Sequence, residues 1–264
     1  MNPKQSRDSS SGARRSRRPG RSATSEAVDD RALWLNSWSA LQEYLRASPS
    51  SLLRIEVQPA SETKIKILLE NHQVNIRPSV RTDLPTAFRA EIKVVEWSES
   101  DMLDDLTENR ASSLVLALDQ ITDTRNLGAI ARSAAFFGVP WLIMPKDRQA
   151  NITGGTISAA QGAFAFVKPV FVTNLSRTLT QLKEQGFWVL GTDMNGESVS
   201  TVTGLYDRTV LVLGSEDRGM RTLTRRNCDR MIAIDSHSQG VESLNVAVAA
   251  GIFLHQLRPI QNTQ

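Results

Sequence analysis

Residues 114–118 are five consecutive apolar side chains, LVLAL. A strand of that composition has no polar face to show to water. It fits where helices cover both sides of a parallel sheet. Shorter runs recur at 141–144, 187–191, 210–213 and 231–234, and residues 168–172 complete the set. Helical patterns lie between them at 128–137, 175–185 and 245–257, an alternation that predicts an α/β fold with a parallel sheet. No apolar run approaches the roughly 18 residues of a membrane span.

Ahead of this region the pattern is different. Residues 37–47 read as an amphipathic helix, 52–57 as a strand, 64–71 as a helix and 74–76 as a short strand, with alternation at 92–97 closing the segment. We expect a small α/β domain over residues 31–97, an acidic linker over 98–112 and a larger domain over 113–260. Residues 1–30 are Ser, Arg, Gly and Pro with almost no large apolar side chains, which predicts a disordered basic tail. Residues 1–25 hold seven cations against Asp8, so they carry +6 of a chain whose net charge is +3, and the rest is mildly acidic. That tail reads either as a salt-sensitive RNA-tracking arm or as a solvated leader.

The single cysteine, Cys228, rules out a disulfide framework and a multi-cysteine zinc site. His72, His237 and His255 are far apart, so no metal centre is expected. The chain lacks a GxGxxG fingerprint, a GxxxxGK[ST] loop and a GxSxG elbow. Three other clusters carry polar residues at the ends of apolar strands. The first runs from Asp119 through Asn126 and Gly128 to Arg132. Asn126 suits a helix cap and Gly128 a close backbone approach, while Arg132 alone reads as an exposed side chain on an otherwise small, apolar helix. The second is Gly214-Ser-Glu216-Asp-Arg-Gly219, where a glycine at a strand's carboxyl end admits a ligand and Glu216 orients a substrate or caps the next helix. The third is Ser243-Leu244-Asn245, entering a helix of small apolar residues, with Ser243 as an ordinary N-cap candidate and His237 as a loop side chain.

Together, in this order, the three clusters resemble the motifs of the SpoU (TrmH-type) RNA 2'-O-ribose methyltransferases of the SPOUT superfamily, over about residues 114–257. The match includes 145–148, 161–163 and 173–175 and is most similar to the bacterial 23S rRNA guanosine 2'-O-methyltransferases. The resemblance implies a C-terminal α/β trefoil knot, an exception to the rule that chains do not thread loops, and an L30e-like substrate-binding domain before it. It implies S-adenosylmethionine held at Gly214, Ile234 and Leu244. It implies catalytic-site positions at Asn126, Arg132, Glu216, Ser243 and Asn245, with Asn126 and Glu216 orienting Arg132 and the ribose. It also implies a cytoplasmic homodimer with sites completed across the interface and ribosomal RNA as substrate, transfer RNA being the alternative. The chain departs from the family at Asp235-Ser236, where Pro-Met is usual, and in the stretch 88–92. A fold-retaining RNA-binding protein without turnover is the competing reading, and Asp235-Ser236 is its best support.

Overall fold

The computed structural model describes residues 32–109, 113–204, 206–236, 240 and 243–257. The expected tail and His237 lie outside these residues. In chain order the elements are β1 (Leu33–Leu35), α1 (Trp38–Ala47), β2 (Leu52–Val57), α2 (Glu62–Asn71), β3 (Ser79–Val80), β4 (Phe88–Ile92) and α3 (Glu99–Glu108). Then follow β5 (Ser113–Asp119), α4 (Thr124–Phe136), β6 (Trp141–Pro145), α5 (Gly154–Ala160), β7 (Lys168–Val172) and α6 (Leu175–Glu184). The last are β8 (Trp188–Ser198), β9 (Arg208–Gly214), α7 (Thr222–Asn227), β10 (Arg230–Ala233) and α8 (Val246–Leu257).

Two sheets form. The first has the order β1-β4-β2-β3, and the second has six parallel strands in the order β10-β8-β9-β5-β6-β7. The mixed α/β architecture with a parallel sheet is as the apolar runs require. The period-2 alternation of the strands divides each run between two cores. Leu114, Leu116, Leu118, Leu142, Leu211 and Leu213 face α4, α5 and α8. Val115, Ala117, Ile143, Val210 and Val212 face α3 and α6. Both sets are almost fully buried, which is why the sequence shows runs rather than alternation.

Three local readings are corrected. Residues 74–76 form no strand; the short strand is Ser79–Val80, parallel to β2. Residues 92–97 are not a strand; the strand ends at Ile92, leaving Trp97 with a single bridge to Val170. The acidic stretch at 99–108 is helix α3, started by a Ser98–Asp101 capping box and anchored by Met102 and Leu106.

Gly128 lies where α4 crosses α5. A Cβ there would sit 2.4 Å from the Thr156 carbonyl oxygen and 2.7 Å from the Ala159 Cβ. Gly128→Ala must therefore push two helix backbones apart, at a cost of about 1–3 kcal/mol. Thermal unfolding of that variant should begin several degrees lower, and an unchanged midpoint would show that the crossing has slack.

Candidate active site

The strand order places β5 and β9 side by side, although β6, β7 and β8 come between them in sequence. The chain runs outward from β5 to β7 and then restarts on the other side. Such a switch point leaves a crevice at the strands' carboxyl ends, where open α/β sheets bind ligands. Asp119 and Gly214, the last residues of β5 and β9, are register partners there.

Beyond β5 the chain turns into α4, whose N-cap is Asp123, its carboxylate accepting from the Arg125 amide at 2.7 Å. Asn126, expected to cap, is instead in the first turn. That frees its side chain to face the β9 exit loop and the start of α8. Asn245 Nδ2 donates to Asn126 Oδ1 at 3.0 Å and to Glu216 Oε1 at 2.7 Å. The Val246 amide donates to the same Oε1 at 2.8 Å, and Asn126 Nδ2 lies 3.5 Å from it. Asn245 Oδ1 accepts from the Ala247 amide at 3.0 Å. Asn245, not Ser243, is therefore the N-cap of α8, and Glu216 caps the first amide of α8 rather than of α7. One carboxylate oxygen thus gathers the side chains of Asn126, 90 residues before it, and Asn245, 29 residues after it. Those donors fix its direction.

The loop carrying Glu216 is tightly closed. Ser215 and Gly219 exchange backbone hydrogen bonds at 3.1 and 2.9 Å, and Gly219 takes φ 64°. A Cβ on Gly214 would sit 2.4 Å from Gly219 C and 2.5 Å from Met220 N, so only glycine fits the fold-back. The far end of the loop is fixed by a group that the sequence reading missed. Asp119, fully buried, accepts from Arg221 Nε at 2.6 Å and from the Arg221 amide at 2.8 Å. The sequence signal was only a carboxylate closing an apolar run.

Other expected residues sit at the rim. Ile234 is half-buried against the core, Leu244 is 44% exposed, and Ser243 is exposed. Asp235 is exposed and accepts from Ser198 Oγ at 2.6 Å, which ties the third motif to the end of β8. Arg132 is exposed on α4. Six residues separate it from Asn126, which sets the two about 120° apart around the helix and about 9 Å apart along it. Among the described residues no hydrogen bond joins Arg132 to Asn126 or Glu216, so the expected pairing is not made within one chain. Burial, reinforced by Asp229, pushes the Cys228 thiol up to about 12, which disfavours the thiolate.

Residues 113–255 match the SpoU rRNA Methylase family. The chain belongs to that family. A SpoU relative from Neisseria meningitidis serogroup B, named 23S rRNA (guanosine-2'-O-)-methyltransferase RlmB, is 37% identical over 86% of this chain and 90% of its own. One of the same name from Coxiella burnetii is 35% identical over 83% and 92%. The SpoU methyltransferase AviRb from Streptomyces viridochromogenes, solved in complex with the cofactor AdoMet, shares the fold with a TM-score of 0.72. It is 19% identical, over 86% of this chain and 89% of its own.

Proposed function

We propose that this SpoU-family chain methylates a ribose 2'-hydroxyl of ribosomal RNA, 23S rRNA foremost, with S-adenosylmethionine as donor. The observation that carries the reading is the convergence of Asn126, Glu216 and Asn245, one from each motif, at the β5–β9 switch point. The names of the Neisseria and Coxiella relatives support the substrate.

The residues fit the cofactor. The fold-back at Gly214 brings bare backbone to the strand end, and Ile234 and Leu244 offer apolar surface beside it. Backbone polar groups among apolar walls suit an adenine ring. S-adenosylmethionine supplies an activated methyl group, so the chain's own task is alignment, water exclusion and handling of the 2'-hydroxyl proton. Glu216, held by two asparagines and the α8 amide, is a rigid acceptor for orienting that hydroxyl. Arg132 stays a cation and serves to hold a phosphate or a developing alkoxide.

Arg132 reaches such a site most directly from a second copy. It lies on the outward stripe of α4 with Phe136, which is 82% exposed, and the neighbouring α8 exposes Val248 at 53%. Apolar side chains that large on adjoining helices suit an isologous dimer face. We also read residues 31–97 as the L30e-like RNA-binding domain, 98–112, which holds helix α3, as the segment joining the two, and 113–260 as the methyltransferase domain. The return of the chain from β10, at one sheet edge, to α8 beside α4 supports the trefoil knot. The basic tail is an accessory RNA arm. No helix of the described residues could cross a membrane.

Calorimetry with S-adenosylmethionine, followed by methyl incorporation into protein-free ribosomal and transfer RNA, tests the reading. We expect one cofactor per chain and 2'-O-methylation of 23S rRNA. Absence of cofactor binding would overturn the proposal and favour a fold-retaining RNA-binding protein.

A further inference from the structure

The cofactor residues and the triad leave one part of the crevice unassigned. Gly214 and Ile234 belong to the β9 and β10 side of the sheet, and the triad stands at the β9–β5 boundary. On the other side are the exit loops of β5 and β6, adjacent because β5 and β6 pair in parallel, Leu116 with Leu142. Neighbouring strands are about 4.8 Å apart, so these loops begin within roughly 10 Å of the β9 exit.

The two loops are built as a unit. The Ile121 amide donates to Gln149 Oε1 at 3.0 Å, and the Ala150 amide donates to the Ile121 carbonyl at 2.7 Å. Gln149 Nε2 is buried without a hydrogen-bond partner among the described residues. Each loop also holds a non-glycine residue in the left-handed region, Gln120 at φ 67° and Arg148 at φ 57°. Such residues persist only where their surroundings enforce them, and they cluster at functional sites. Lys146 and Arg148 in the β6 loop, and Arg125 in the first turn of α4 just past the β5 loop, are all exposed, and among the described residues none of the three is ion-paired. Asp123 and Asp147 are the acidic neighbours, and the Asp123 carboxylate is taken up by the α4 cap. Elsewhere in this part of the chain, Lys183, Arg221, Arg225 and Arg230 are bound to carboxylates, while Arg177, Arg218 and Arg226 are exposed and outside the ion pairs of the described residues.

We propose that the joined β5 and β6 exit loops dock the phosphate backbone of the substrate RNA, with Arg125, Lys146 and Arg148 as the cationic contacts. The proposal rests on the methyltransferase reading and adds where the RNA lies. The strand enters over β5 and β6, places a ribose at the triad and leaves the β9 and β10 side to the cofactor. It also explains how a body of net negative charge engages a polyanion: three unpaired cations are held together where phosphates pass.

The test uses the full chain with protein-free 23S rRNA. Arg148→Asn keeps a side chain that tolerates the left-handed backbone while removing the charge, and Lys146→Gln removes the second cation. The double variant should raise KM for RNA roughly tenfold and flatten the salt dependence of binding by about one to two units of slope. Its cofactor affinity, kcat at saturating RNA and melting temperature should stay those of the unaltered chain. A melting temperature that falls with KM unchanged would assign the loop a structural role and overturn the dock. So would an unchanged KM and salt slope. If the unaltered chain binds 23S rRNA but transfers no methyl group, the enzymatic reading fails while the binding arm still tests the surface.

Discussion

Arg221→Ala should destabilise the protein by about 3–5 kcal/mol, more than loss of a surface ion pair would. Asp119 is fully buried, and its carboxylate accepts from the Arg221 guanidinium and from the Arg221 amide. In the variant only the amide remains, and a buried charge is left without its counterion. The loss should be local as well as global. Asp119 is the register partner of Gly214, and Arg221 ends the loop that begins there. Cofactor affinity should therefore fall with stability. Asp119→Asn in the same background removes the stranded charge, so the double variant should be more stable than Arg221→Ala alone. Denaturant unfolding of the two single variants, the double variant and the unaltered chain measures the coupling. Additive losses would mean that the pair adds no specific energy at this site.

This pair also shows what a sequence of this kind conceals. The parallel sheet was legible because burial on both faces leaves runs such as 114–118 with no polar residue. The three motifs were legible as strand ends because each apolar run stops at a glycine or a carboxylate. What the residues touch was not. Asn126 and Ser243 both looked like helix caps by type and position, yet Asp123 and Asn245 cap those helices. Local spacing ranks every Asn, Ser and Asp near a helix start alike, and only the tertiary partner decides among them. Glu216 looked ready to cap α7, the next helix, but bonds to α8, 30 residues on. Helix α3 was missed for a different reason. Its charge resembled a linker, while its signals were there: Met102 and Leu106 at i, i+4 and a capping box at Ser98. Helices α5 and α7 are short, and α5 starts at two glycines, so propensity gave no warning of either.

Arg132→Ala should lower methyl transfer by at least about a thousandfold, as loss of a charge-stabilising group at a reacting centre does, with cofactor binding nearly intact. A second experiment asks whose site Arg132 serves. The geometry of α4 turns it away from the triad of its own chain, and the exposed stripe it shares with Phe136 is the face proposed for a second copy. If the triad comes from one protomer and the arginine from its partner, two inactive variants should rescue each other. Glu216→Ala lacks a working triad but keeps Arg132, and Arg132→Ala keeps the triad. After denaturation and refolding together, half of the dimers are mixed. Each mixed dimer has one site with both defects and one site with none, so activity should recover to roughly a quarter of the unaltered level. An arginine acting within its own chain predicts no recovery, because every site in the mixture would still lack one of the two groups. The mixing experiment therefore separates a shared site from a private one even though each variant alone is equally silent.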